Sequence, residues 1–461
     1  MKTLLTGGTV VASSETIATD ILLKDGKVAA LGRGLPRDGA KIVDVSGCWV
    51  LPGMIDAHTH VTLDAQADRD SDIYFAGTVP AAMGGTTTII DHLSFGPAGK
   101  PLRAQLDRHA ALARERAAVD YGFHGVIQHV DGKILEEMGE LARTGIPSFK
   151  AYTTYDFRLG DAELLKTLRR CRETGALLAV HAEEHEPIAA LRARFKAEGK
   201  GSPIWHAKSR PTSCEAEAVA RLLRLAREAG DAPIYVVHLS TAAGLREIRR
   251  ARAEGQKNIF AETCTQYLTL TEERYDDPVE GLKYIMSPPL RDKDDVEALW
   301  RGVADGAVDV IATDHCNLRF DRDKRRGLDD FTVCPGGAPG LEERLPVLYS
   351  EGVAKGRIGI ITLVERLAAA PAKIFGLYPQ KGLLLPGADA DVVILDPEAE
   401  RTLFQEDLHG PADFSLYDGM KVKGSIKAVY LRGTLIAGNN AFLGRRGQGR
   451  FLPRGRNMHR D

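Results

Sequence analysis

Between residues 51 and 316, short apolar runs alternate with stretches of helical period. The runs have strand length and end near His58, Asp91, Gln128, Lys150, His181, His238, Cys264 and Asp314. Helical patterns separate most of them, as at residues 162–173, 215–228 and 296–304. Eight such runs with intervening helices predict an α/β fold, a (β/α)8 TIM barrel over residues 51–379, whose active site would lie at the C-terminal strand ends. The chain ends read differently. Leu4-Leu5, Val10-Val11, Asp20 to Leu23, Val28 to Leu31 and Lys41 to Val45 are short β-type runs, split by turn pairs such as Gly7-Gly8 and Asp25-Gly26. Residues 391–396 and 428–433 have the same character. Residues 1–50 and 380–440 together predict one small β-sandwich domain built from both ends of the chain. A loop rich in charge and glycine, at about 315–340, is placed to cover the barrel mouth. Residues 441–461 are expected to be a C-terminal arm. From position 444 it holds six arginines and one acid, which suits a solvated or subunit-contacting segment.

Composition narrows the class. The 461 residues are 44% hydrophobic and 27% charged, so the chain can bury a large core. A net charge of −2 gives no electrostatic footprint for nucleic acid or an anionic membrane. The six cysteines form no CxxC pair and no disulfide framework, which points to a reducing compartment. Polar and glycine residues interrupt the N-terminus too early for a signal peptide, and no run of eighteen apolar residues exists. The expected location is cytoplasmic.

Chemistry-bearing residues sit where the apolar runs stop. His58 and His60 are two apart on a strand, so their side chains face the same way and could grip one metal ion. The structural alternative is a pair of hydrogen-bonded histidines. Lys150 ends Ile146-Pro147-Ser148-Phe149. It is either a salt-bridged lysine or a carbamylated one, since burial favours the neutral amine that adds carbon dioxide. His181 and His238 each close a β run and could serve a second metal. Asp314 could ligate one ion and take a proton from bound water, or could simply cap a helix. His92, His124 and His129 lack a consistent strand-end position and are expected to be structural.

These residues stand in a recognisable frame. Gly53-Met54-Ile55-Asp56-Ala57-His58-Thr59-His60, Gly84-Gly85-Thr86-Thr87-Thr88, Phe149-Lys150-Ala151-Tyr152, Val237-His238-Leu239-Ser240, Glu262-Thr263-Cys264-Thr265-Gln266-Tyr267-Leu268, Ser287-Pro288-Pro289-Leu290-Arg291 and Ala312-Thr313-Asp314-His315-Cys316 follow one another in order. In these motifs the whole chain resembles the cyclic amidohydrolases, specifically the hydantoinase and dihydropyrimidinase branch of the amidohydrolase superfamily. The resemblance implies two divalent metal ions, zinc by family habit. His58, His60 and Asp314 would bind one and His181 and His238 the other, with carbamylated Lys150 (N6-carboxylysine) and a hydroxide between them. It implies that Tyr155 meets the substrate carbonyl and that Ser287 contacts the ring amide through its backbone. Gly336 stands where relatives carry an asparagine that binds substrate mostly through its main chain, so the glycine is expected to serve there, and Ala182-Glu183-Glu184-His185 departs from the usual Glu-Asn after the histidine. Loops that select the ring substituent would include Leu63, Phe95, Phe157 and Leu159.

The implied reaction is ring opening of a small cyclic ureide, a D-configured 5-substituted hydantoin, to an N-carbamoyl amino acid. Dihydrouracil or dihydrothymine is the alternative substrate. Allantoinase and dihydroorotase are more remote, because no arginine follows the HxH pair before Arg69. A non-catalytic scaffold relative is remote as well, because all six expected ligands are present. The family resemblance also implies a homotetramer.

Overall fold

The computed structural model describes residues 2–12, 14–62, 72–94 and 99–456. Its centre is a nine-stranded sheet whose pairings are all parallel. The strands are β1 (Met54–His60), β2 (Thr86–His92), β3 (Asp120–Val126), β4 (Ser148–Tyr152), β5 (Leu177–His181), β6 (Ile234–Val236), β7 (Ile259–Cys264), β8 (Val310–Ala312) and β9 (His315–Cys316). The first eight follow chain order, and β9 pairs with β1. Only Thr313 and Asp314 separate β8 from β9, so the two act as one interrupted strand that closes the barrel. The closure is stitched by polar groups. Asp56 accepts from Thr313 Oγ1 at 2.7 Å, and the Asp314 amide donates to His58 O at 3.0 Å. Arg344, fully buried, donates to Ile55 O and Ile311 O from the first and last strands. Buried on both faces, the strands read as near-continuous apolar runs, which is why they were legible without alternation.

The chain ends form two further sheets, one from the N-terminal end alone and one from both ends. A four-stranded sheet runs in the order Lys27–Gly32, Asp20–Lys24, Lys2–Thr6, Lys41–Asp44. A seven-stranded sheet joins Val392–Thr402 and Lys421–Leu431 to Trp49–Pro52 and Thr9–Val11. Strand alternation divides the labour in this second sheet. Val392 and Ile394 pack with Leu5, Ile21 and Val28 between the two sheets, whereas Val393 and Leu395 face the barrel's own core.

The C-terminal arm adds contacts that the sequence did not announce. Rather than lying in solvent, its described part docks on its own barrel. Gly449 N donates to Ala117 O, Leu452 N to Tyr121 O and Arg454 N to Gly145 O, at 2.8–3.0 Å. Leu452 is buried, and the Arg454 guanidinium reaches Phe123 O and Ser148 Oγ beneath the barrel. Two apolar residues, Phe451 and Leu452, and a set of barrel carbonyls give this segment its seat. No helix among the described residues is long and apolar enough to cross a membrane.

Candidate active site

The C-terminal ends of the barrel strands carry the six expected donors to one point. His58 Nε2 and His60 Nε2 each lie 3.1 Å from Asp314 Oδ1. Lys150 Nζ is 3.3 Å from His58 Nε2. The His238 ring centre lies 5.4 Å from that of His58 and 4.5 Å from that of His181. No helix starts at Asp314, so it is not a helix cap. His92 joins the group: a nitrogen each from His58, His60 and His92 lie within 4.8 Å of one another, enough to hold a metal ion. The other two competing histidines are engaged elsewhere, although the His124 ring stacks on that of His92 at 4.6 Å. His124 bonds Ala57 O and Ser148 Oγ, and His129 sits 3.8 Å from Asp131 at the surface.

The electrostatics suit lone-pair donation. Burial lowers the pKa of His60, His92, His181 and His238, so these rings are neutral imidazoles. His58 is the exception. Burial and Lys150 work against its protonation, yet the Asp314 and Glu262 carboxylates leave it raised. Burial likewise opposes ionisation of Asp314, but His58 and His60 hold its carboxyl well below the usual range. Lys150 is 1% exposed and has no carboxylate within ion-pair distance among the described residues. Burial brings it down to about 8.

Two carboxylates that sequence reading overlooked orient the imidazoles. Glu262 Oε1 lies 2.7 Å from His58 Nδ1 and also accepts from the His238 amide at 3.1 Å, while Glu262 Oε2 accepts from Tyr235 OH at 2.8 Å. Glu183 Oε2 lies 2.7 Å from His181 Nε2 and is ion-paired to buried Arg210. Burial opposes ionisation of Glu183, but Arg210 and His181 bring it to about 2. Carboxylates behind histidines fix the ring tautomer and raise ligand basicity, the usual backing of a metal site. His92 Nε2 and His238 Nδ1 are buried without a hydrogen-bond partner among the described residues. Buried imidazoles, two of them backed by carboxylates, one unprotonated aspartate and a lysine with no ion-pair partner among the described residues fit a divalent-cation centre. Glu262 carried a local signal, a charge inside the apolar run Ile259-Phe260-Ala261. Arg210 carried none, since only the tertiary fold brings it to Glu183.

Above this floor opens a cavity of about 720 Å³. Tyr155, Ser287, Phe157 and Gly336 line it. The Tyr155 ring lies 5.3 Å from that of His181 and 5.5 Å from the Arg210 guanidinium. Burial keeps its phenol protonated and therefore a donor, even though Arg210 pulls the other way. A side chain at Gly336 would meet Ser287 Oγ at 3.8 Å and nothing closer, so packing does not demand glycine there. Leu159 is corrected. It is buried, its amide donates to Tyr152 O at 2.9 Å, and it lies off the cavity wall. Leu63 and Phe95 fall outside the described residues. Cys334, Gly336 and Gly337 of the long loop after Asp314 form part of the wall. Tyr155, His238 and Asp314 have φ of +73°, +40° and +55°. That is left-handed backbone which non-glycine residues adopt at a cost.

Comparison with known proteins agrees with this geometry. Residues 49–436 match the Amidohydrolase family. The chain is 46% identical over 455 residues to a D-phenylhydantoinase of Escherichia coli O9:H4 (strain HS), covering 98% of each chain. It superimposes on the crystal structure of dihydropyrimidinase from Brevibacillus agri NCHU1002 with a TM-score of 0.95 at 38% identity, covering 99% of this chain and 100% of that one. A D-hydantoinase from a Bacillus sp. AR9 gives 0.94, also at 38% identity and with the same coverage. With the barrel, the strand-end donors and a match across most of its length, the chain belongs to the amidohydrolase family, whose members are metal-dependent.

Proposed function

We propose that the chain opens the ring of 5-substituted hydantoins, giving N-carbamoyl amino acids. The observation that carries this reading is the convergence of His58, His60, His181, His238 and Asp314 around Lys150, which is buried with no carboxylate within ion-pair distance among the described residues. In this reading Lys150 would add carbon dioxide, and its carbamate, with the four histidines and Asp314, would hold two zinc ions. Two bound divalent cations would supply a nucleophile near neutral pH and polarise the scissile carbonyl.

The chain's own residues supply the rest. Asp314, unprotonated, takes a proton from the nucleophile and delivers it to the leaving ring nitrogen. The Tyr155 phenol donates to the carbonyl oxygen as charge develops on it, and burial strengthens that bond. The Ser287 backbone holds the ring amide. Phe157, Ile188 and Ala189 give the cavity an apolar side that admits an aromatic substituent. D-selectivity is supported by the likeness to a D-phenylhydantoinase and a D-hydantoinase; a homotetramer and cytoplasmic residence complete the reading.

A dihydropyrimidinase activity is the second reading, favoured by the likeness to the Brevibacillus enzyme. Specificity constants of the zinc-loaded protein for the two enantiomers of 5-phenylhydantoin and for dihydrouracil decide between them. Higher kcat/KM for the D-hydantoin supports the first reading. Higher kcat/KM for dihydrouracil supports the second. Turnover of neither overturns both.

A further inference from the structure

The cavity extends well past the strand ends, and one helix shapes its outer wall. Helix α1 (His185–Ala197) follows β5 directly. Its wall-lining residues are His185, Ile188, Ala189 and Arg192. Those positions are i, i+3, i+4 and i+7, a single helix face. Along that face the chemistry changes in order. His185 lies nearest the His181 strand end, Ile188 and Ala189 form an apolar middle, and Arg192 stands seven residues on, about 10 Å further along the axis.

Arg192 is half-buried and underused. One Nη donates to Thr332 O at 2.8 Å, and its guanidinium lies 5.7 Å from the Phe331 ring centre. Among the described residues no carboxylate lies within ion-pair distance of it. The neighbouring acids are engaged elsewhere. Asp330 is 2.8 Å from Lys196 Nζ and accepts from the Thr332 amide, and Glu183 is taken by Arg210 and His181. Asp314 is held by His58 and His60. Asp156, the other wall acid, is exposed and makes no ion pair with Arg192. A partly desolvated guanidinium facing a ligand cavity with donors to spare matches a carboxylate.

Resting on the hydantoin reading, we propose that Arg192 ends a substituent channel selecting ring substituents with an apolar body and an anionic tip. The apolar body lies along Phe157, Ile188 and Ala189, and the tip reaches the guanidinium.

The test uses the zinc-loaded, full-length protein and two matched substrates, racemic 5-(4-carboxyphenyl)hydantoin and its carboxamide. The expected result is kcat/KM about tenfold or more in favour of the acid, carried by KM, as a charge-assisted bond implies. Arg192→Leu should bring the acid-to-amide ratio close to one or below, and Arg192→Lys should keep part of the preference. Should either variant fail to fold, the wild-type ratio still decides. A wild-type ratio near one with both compounds hydrolysed overturns this inference and leaves the hydantoin reading standing. So does a preference that persists in folded Arg192→Leu. Hydrolysis of neither compound, nor of 5-phenylhydantoin, overturns the hydantoin reading and the channel with it.

Discussion

Glu262→Gln isolates what the carboxylate behind the proposed metal site contributes. The wild-type carboxylate is fully buried and faces three groups: His58 Nδ1 at 2.7 Å, Tyr235 OH at 2.8 Å and the His238 amide at 3.1 Å. Glutamine keeps the shape and the Oε1 acceptor for His58 and His238, while its amide group can donate to the Tyr235 oxygen. What disappears is the charge. A charge-assisted hydrogen bond is worth about 1.5–3 kcal/mol net and a neutral one about 1 kcal/mol. His58 therefore loses roughly 1–2 kcal/mol of support as an oriented, basic ligand. That corresponds to a metal affinity lower by about 5- to 30-fold. Leucine would be uninformative, because three unsatisfied groups at about 1–3 kcal/mol each approach the whole stability of a domain. The assay is a competition titration of chelator-stripped protein with zinc and a fluorescent zinc chelator, alongside thermal melts of the stripped protein. The expected outcome is weaker binding at the site containing His58, with melting of the stripped protein little changed. A folded variant that binds both ions as tightly as wild type would refute the orienting role.

Asp314→Asn should retain much of the metal but lose about 100-fold or more in kcat, as expected when a general base is removed; near-normal turnover of metal-replete variant excludes that role. Lys150→Ala should hold fewer than two zinc ions per chain by elemental analysis, and added propionate should restore part of the metal content; full occupancy without a carboxylate additive would show that no carbamate is needed. Glu343 reports on pH. Burial raises its carboxyl to about 7, with Glu342 adding to the shift against the hydrogen bond from Ser415. Below pH 4.5 both folded and unfolded states carry the proton. Between 4.5 and about 7 the unfolded chain ionises first, so this contribution to stability falls as pH rises. Glu343→Gln removes that loss, so its urea-unfolding free energy relative to wild type should improve by roughly 3 kcal/mol between pH 4 and pH 8; a pH-independent difference would show that Glu343 does not titrate this way.

The barrel was legible because buried parallel strands announce themselves as apolar runs, and because the site lies where those runs stop. The two sheets from the chain ends were legible from turn chemistry. What escaped depends on contacts between distant segments. Glu262 supports His58 across 204 residues, and Arg210 reaches Glu183 from a separate turn. Leu159 follows Tyr155 and Phe157 in the same loop, yet its hydrogen bond to Tyr152 turns it inward. The seat of the arm was not legible because arginine density describes solubility, whereas Leu452 and the carbonyls of Phe123 and Gly145 decide where the segment docks. His92 read as structural because nothing in its own run distinguishes it from His124; only strand register sets one beside His58 and the other beneath Ala57.

The left-handed backbone at Tyr155, His238 and Asp314 bears on how this protein can be improved in the laboratory. Each of these positions would relax if glycine replaced the native residue, recovering part of about 1–3 kcal/mol, with Asp314 nearest to comfortable and Tyr155 furthest from it. A thermostability library scored only on folding would therefore enrich glycine at these three positions and return well-behaved barrels without a reaction centre. Stabilising campaigns should hold them fixed and draw their gains from the arm, the end sheets and the outer helix faces.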